Sequence, residues 1–205
     1  MGLTNAQLRE HLDAVAADDA IVAAAIERCG YPEERIRSTG HRTLLRTIVG
    51  QQVSVASAAA VWNKLEAELG EDMLPQDLLA RDFDTLRACG LSRQKQGYAR
   101  SLCELVASGD LAFDNLPEDD EAAIAELTRI KGIGRWSAEI YLLFAEGRQD
   151  IWPAGDLAVQ EAVGRMLELP ARPGEKETRE LGERWRPHRG AMAIFTWHTY
   201  NNAAL

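Results

Sequence analysis

The sequence predicts an all-α fold, and three observations carry that prediction. Apolar residues recur at three- and four-residue spacing in one segment after another. The connections between those segments are short and centred on Gly, Pro or polar residues. Alternating polar and apolar runs bounded by hairpin turns, the mark of half-buried strands, are missing. The pattern accounts for about ten helices. With 205 residues, 46% of them hydrophobic, the chain can bury a core as one domain or as two closely packed lobes.

Taken in order, Leu8, Leu12 and Val15 and then Ile21, Ala25 and Ile26 define two short helices before a break at Gly30-Tyr31-Pro32. From Arg42 the stripe resumes as Leu44, Leu45, Ile48 and Val49, and Gly50-Gln51-Gln52 interrupts it. Ser54 is placed to cap the next helix, whose stripe is Val55, Ala58, Trp62, Leu65 and Leu69 and whose stop is Gly70. A short helix over Asp82–Ala88 closes at Gly90. Ser92 then caps a longer one with Tyr98, Leu102, Leu105 and Val106 inward and Arg93, Lys95 and Arg100 outward.

After an irregular stretch from Gly109 to Pro117, an acid-started helix turns Ile124, Leu127 and Ile130 to one side, as the helix dipole favours. Lys131-Gly132-Ile133-Gly134 follows. Trp136, Ile140, Leu143 and Phe144 define the next helix, which Gly147 ends, and Ile151–Gly155 is a loop containing Pro153. Asp156 occupies an N-cap position ahead of Val159, Val163, Met166 and Leu167. A polar loop around Pro170, Pro173 and Gly174 leads to Leu181–Trp185, then Pro187, and a last helix through Ala191, Ile194, Phe195 and His198.

The charge of −9 argues against wholesale polyanion binding, because nonspecific affinity for nucleic acid comes from cations displacing condensed counterions. Local clusters interrupt that average. Arg129, Lys131 and Arg135 follow the acidic run Asp114–Glu126, and Arg184, Arg186, His188 and Arg189 gather near the end, so a small basic footprint on an acidic body is compatible with the sequence. Arg9, Glu10, Asp13, Asp18 and Asp19 leave no apolar signal-peptide core in the first twenty residues, and no later run reaches membrane-spanning length, so the expected location is cytoplasmic. Cys29, Cys89 and Cys103 have no paired spacing and read as reduced, structural residues. His41, His188 and His198 lack metal-ligand spacing.

Chemistry concentrates between Leu127 and Asp156. Two glycines separated by an apolar residue permit a tight turn with positive backbone angles and bare the backbone N–H groups. At the start of the helix near Arg135 such groups can bind a phosphate, with Lys131 and Arg135 beside them. A plain helix–helix turn and a plain helix cap are the alternative readings of Gly132-Ile133-Gly134 and of Asp156 taken singly.

Three ordered motifs together are more specific. LTRIKGIGRWSAEIYLLF, a polar loop and IWPAGDLAVQEAVGRM resemble the helix-hairpin-helix, Gly/Pro-rich loop and catalytic aspartate of the helix-hairpin-helix (HhH-GPD) DNA glycosylase superfamily. TIVGQQVSVASAAAVWNKL and ERWRPHRGAMAIFTWHTY are similar to segments of its alkylpurine branch, the 3-methyladenine DNA glycosylase II type, and the likeness runs from about Arg42 to Asn202. The resemblance implies a single glycosylase domain over residues 1–205 with two helical lobes and a cleft, one lobe over 42–150 and the other over 1–41 plus 151–205. It also implies a monomer acting on double-stranded DNA with alkylated bases, nucleoid-associated in a prokaryote or nuclear in a eukaryote.

Residue by residue, the resemblance makes Asp156 the essential carboxylate and Gln51-Gln52 the wedge that fills the space of the extruded nucleotide, with Gln52 at its tip. Lys131, Gly132, Ile133, Gly134 and Arg135 become the phosphate-binding turn, and Trp136 and Trp197 the aromatic lining of the base pocket. No cofactor is required. The hairpin carbonyls allow a structural monovalent cation, Na or K, with no side-chain ligands. Trp62 and Trp185 read as core, and Trp152 as core or cleft rim.

Physical chemistry gives these assignments independent sense. Extruding a base costs a few kcal/mol, least for a damaged or poorly paired one. A purine methylated at N3 or N7 is cationic, binds electron-rich indole faces by roughly 0.5–2 kcal/mol, and departs without an acid. One ionised aspartate then stabilises the oxocarbenium-like sugar or orients water against it. Bifunctional relatives carry a lysine two residues after the second hairpin glycine, whose amine forms a Schiff base with the sugar. Trp136 stands there, which predicts base removal without strand cleavage. The branch's usual additional N-terminal domain is expected to be absent or reduced, since about forty residues precede the likeness. Ile140, next to Tyr141, replaces a pocket aromatic of some relatives. Removal of deaminated, oxidised or mismatched bases by the same carboxylate is the alternative reading, and a non-catalytic helix-hairpin-helix DNA-binding module is another.

Overall fold

The computed structural model describes residues 2–202, and among them no strand is found. The helices are α1 Asn5–Asp18, α2 Ala20–Cys29, α3 His41–Gly50, α4 Val55–Leu69, α5 Pro75–Ala80, α6 Phe83–Ala88, α7 Arg93–Ala107, α8 Asp120–Thr128, α9 Arg135–Tyr141, α10 Leu157–Met166, α11 Glu175–Gly182 and α12 Arg189–Asn202. A π-helical segment, Leu142–Glu146, continues α9, and a 3₁₀ turn, Glu183–Trp185, follows α11.

Local chemistry sets most boundaries. Ser54, Asp82, Ser92 and Asp156 each accept a backbone N–H as the N-cap of their helix, satisfying donors that the helix itself leaves orphaned. Gly70 and Gly147 follow helix ends at φ +86° and +76°, a region that side chains resist. Two helices escape the periodicity argument. α5 starts at Pro75 and has room for one turn and a half, so Pro75 and Leu78 are its whole buried face. α11 starts at Glu175, well before the expected Leu181, because its exposed acidic first turn carries no stripe.

The described residues form two compact units. One is drawn from Met1–Arg37 and Glu139–Leu205, the other is Ser38–Ala138. Residues 139–150 thus cluster with the terminal helices, where the sequence had placed them with the central ones. In the first unit α10 packs on α12, with α1 and α2 against them, around Leu8, Leu12, Val22, Val159, Val163, Ile194 and Phe195. In the second, α7 is central and packs on α3, α5 and α6, burying Leu44, Ile48, Leu78, Leu86 and Leu102. Each such aliphatic side chain contributes about 1.5–3 kcal/mol on removal from water.

Several side chains face other than expected. Val22 rather than Ile21 faces the core, and Val55 is 89% exposed rather than inward. On α7, Lys95 and Arg100 turn back onto the protein instead of outward. Lys95 Nζ donates to the Val49 carbonyl at 2.7 Å, and Arg100 to the carbonyls of Leu79, at 3.2 Å, and Arg81. Those carbonyls lie at the C-terminal ends of α3 and α5, where a helix has no internal donors left. Trp62, Trp152 and Trp185 are all buried, which settles Trp152 as core. Burial pushes the Cys103 thiol up to about 12, which keeps it an inert packing residue.

Candidate active site

In the unit Ser38–Ala138, the hairpin between α8 and α9 is fixed by Leu127, Ile130 and Ile133, all buried. Gly132 adopts φ +80°, and a Cβ there would run into the Tyr98 ring, so glycine is required twice over. Gly134 is different. Its φ is not in the left-handed region and a Cβ would meet nothing within 4 Å, so nothing in this chain demands glycine there. The N–H groups alternate in use. Those of Lys131 and Ile133 donate to Ser101 Oγ, at 3.1 Å, and to the Ile130 carbonyl, at 3.0 Å. For the N–H groups of Gly132 and Gly134 no acceptor is found among the described residues. Lys131 is exposed, while the Arg135 guanidinium is bidentate on the exposed Glu121 carboxylate, one contact being 2.7 Å.

The turn after α3 belongs to the same unit. Gln51 and Gln52 behave differently there. Gln51 Nε2 donates to the Gly132 carbonyl at 2.8 Å, while Gln52 is exposed and takes φ +55°, uncommon for a residue with a side chain. Val53 and Val55 stand exposed after it, and Ser54 caps α4 between them. Trp136, on the first turn of α9, is 47% exposed. Two hairpin carbonyls, those of Ile130 and Gly132, already accept hydrogen bonds.

The other unit carries Asp156. Its loop is pinned along its length. Gly190 N donates to the Gln149 carbonyl at 2.7 Å, an approach that a side chain at Gly190 would block. Arg189, 8% exposed, holds Asp150 through Nε and Nη2, each at 2.8 Å, and reaches Glu183 at 2.6 Å. Gln160 Nε2 donates to the Ala154 carbonyl at 2.9 Å, and Asp156 N to the Pro153 carbonyl at 2.9 Å. The carboxylate oxygen Oδ1 of Asp156 accepts from Ala158 N at 2.9 Å, Val159 N at 3.1 Å and Trp197 Nε1 at 3.1 Å. Trp197 is half-buried and stacks on Phe144, with ring centroids 5.6 Å apart.

The structure therefore brings Asp156 together with Trp197, and Gln51 together with Gly132. The basic cluster near the C-terminus is engaged inside its own unit. Arg184 pairs with Asp19 at 3.0 Å, Arg186 with Asp150 at 2.6 Å and with Glu183 at 2.7 Å, and His188 with His11. Sequence reasoning missed Asp150 and Phe144 as supports of the site. Asp150 had no local signal, since it follows the polar Arg148 and Gln149 at the start of the loop; Phe144 had none beyond its place in a stripe.

Among the described residues no helix is long and apolar enough to cross a membrane. The family model described as HhH-GPD superfamily base excision DNA repair protein matches residues 45–187. The chain is 32% identical over 163 residues to DNA-3-methyladenine glycosylase 1 of Schizosaccharomyces pombe, an alignment covering 78% of this chain and 72% of the relative. Its fold is similar to the crystal structure of a DNA-3-methyladenine glycosidase from Bacillus halodurans, with TM-score 0.88 and 29% identity over 95% of this chain and 90% of that one. It is also similar to a 3-methyladenine DNA glycosylase of Schizosaccharomyces pombe in complex with abasic DNA, with TM-score 0.80 and 27% identity over 96% of this chain and 98% of that one.

Proposed function

The chain belongs to the HhH-GPD superfamily of base excision DNA repair proteins, and from that premise we propose that it is a monofunctional DNA glycosylase. It hydrolyses the N-glycosidic bond of flipped, alkylated purines of the 3-methyladenine and 7-methylguanine type in duplex DNA and leaves an abasic site. The observation that carries this reading is the setting of Asp156, a carboxylate at the end of a pinned loop with three N–H donors on one oxygen. The names of the similar proteins, which are 3-methyladenine glycosylases, support the same substrate class.

In the unit Ser38–Ala138, the N–H groups of Gly132 and Gly134, with Lys131 nearby, hold a backbone phosphate. The hairpin serves the anchoring that a base-extruding enzyme needs. Gln52, exposed at a strained turn and flanked by Val53 and Val55, enters the stack and offsets part of the cost of extrusion. Trp136 in one unit and Trp197 in the other each carry an indole face of the kind that binds a cationic base.

The C1′–N bond then breaks, and its electron pair leaves with the base, which departs neutral. Asp156, acceptor-only when ionised, stabilises the oxocarbenium-like sugar and orients water. The water oxygen bonds to C1′, and its proton passes to the carboxylate or to solvent. Trp136 has no amine to form a Schiff base, so the strand remains intact.

The test is incubation with a methylated duplex. Free methylpurines should appear by mass spectrometry while the strands stay whole until alkali is added, and borohydride should trap no protein–DNA adduct. Absence of base release from every alkylated substrate, with the protein bound to the DNA, would mean a binding module. Strand scission without alkali would remove the monofunctional assignment.

A further inference from the structure

We propose that Trp197 is a positioning residue for Asp156, acting through its indole N–H, separately from any contact its ring face makes with a base. The inference rests on Asp156 being the reacting carboxylate. Ala158 N and Val159 N both come from the first turn of α10, so they hold Oδ1 from the side of its own helix. The Trp197 N–H reaches the same oxygen from α12, a different element, so the direction of the carboxylate is referred to two helices rather than one. Holding a reacting group in one orientation is worth more to the rate than to stability, because misorientation is corrected at the transition state.

The donor is itself held. The Trp197 ring stacks on Phe144 at an interplanar angle of 30°, and Phe144 is buried on the π-helical segment. A π-helical turn inside a helix frequently marks a functional position. The Phe144 carbonyl accepts from Arg37 N at 2.8 Å, and the Arg37 guanidinium lies 5.7 Å from the Phe144 ring centre. A Cβ on Gly2 would approach that carbonyl to 2.5 Å, so the N-terminal segment is packed against it too. At its other end α12 grips the loop ahead of Asp156 through Arg189–Asp150 and Gly190–Gln149. One helix thus fixes the base of the loop and the carboxylate that ends it. A tryptophan serving only as a stacking surface needs no such aim of its N–H.

The decisive variant replaces Trp197 by β-(3-benzothienyl)alanine, which keeps the bicyclic ring and puts sulfur where the N–H stood. Single-turnover excision should fall roughly tenfold to a hundredfold, the scale of a hydrogen bond to a charged group. The fall should be the same for different alkylated bases, with duplex affinity retained. Trp197→Phe should behave similarly. Independently of activity, Asp156→Ala should move one indole resonance of the five in the ¹H–¹⁵N spectrum, the one missing in Trp197→Phe, and leave the other four in place. An isostere as fast as wild type, a loss confined to one lesion, or an unmoved indole resonance overturns the proposal. A wild-type protein that releases no base overturns the glycosylase reading and this inference with it, whereas an active wild type with an equally active isostere overturns this inference alone.

Discussion

The side-chain amide of Gln51 donates to the carbonyl of Gly132 at 2.8 Å, tying the turn after α3 to a hairpin 81 residues further along the chain. Of the two glutamines expected to wedge into DNA, one is therefore a tether and one, Gln52, is presented. Gln51→Ala removes a single exposed hydrogen bond worth about 0.5–1.5 kcal/mol, so excision should drop by roughly two- to tenfold, equally for paired and mismatched lesions. Gln52→Ala removes the proposed wedge. Its loss should be larger for well-paired lesions than for mismatched ones, which extrude more cheaply. Fluorescence of 2-aminopurine beside the lesion measures extrusion directly, and equal behaviour of the two variants would contradict the division of roles.

The two hairpin glycines are predicted to fail in different ways. Gly132→Ala forces a side chain into φ +80° and against Tyr98, so it should lower the melting temperature, with a backbone cost of about 1–2 kcal/mol before any clash. Gly134→Ala faces open space and should leave the melting temperature unchanged. Its methyl group would stand at the proposed phosphate contact, so duplex affinity should fall and the salt dependence of binding should become shallower. Anisotropy titrations at several salt concentrations check both. A Gly134→Ala protein with wild-type affinity would remove the hairpin from the DNA contact.

The contrast between these residues also explains what the chain disclosed before folding. Asp156, Ser54 and Ser92 were legible as caps because a cap bonds to backbone two or three residues away. Lys95 and Arg100 were misread because spacing gives the face of a helix but not the reach of a long side chain, and both bend back to carbonyls of other elements. Val55 fell on the predicted stripe yet is exposed, since the first residue of a helix lies beyond the surface that α4 packs against. Trp197 was legible as an aromatic of interest, but its hydrogen bond spans 41 residues and nothing local announces it.

A pH dependence follows from His11 and His188, whose Nδ1 atoms are 2.6 Å apart between α1 and the start of α12. Burial, and then the neighbouring His188, hold the His11 imidazole below its ordinary value, with Glu10 opposing weakly. The unfolded chain therefore binds this proton more readily than the folded one. The contribution of His11 to stability is complete above the ordinary imidazole value of about 6.5 and declines as pH falls below it. Urea midpoints between pH 8 and pH 5 should show that decline, and His11→Gln should flatten it. A slope unchanged in the variant would place the effect in other groups.

Asp156 is both a helix cap and the proposed reacting group, and the choice of substitution separates the two. Asparagine caps helices about as well as aspartate, so Asp156→Asn should retain the fold, whereas Asp156→Ala should lose about 1 kcal/mol of stability as well. Neither variant can place a negative charge against the sugar cation. Both should therefore excise at least about a hundredfold more slowly, on the scale expected when an electrostatic partner of the transition state is removed. Duplex affinity should survive, because the carboxylate contributes repulsion rather than attraction toward phosphate. Chemical denaturation, anisotropy and single-turnover excision on the same two proteins read the three quantities apart. An Asp156→Asn protein that excises at the wild-type rate would show that the chemistry belongs to another residue, and that Asp156 is a cap and nothing more.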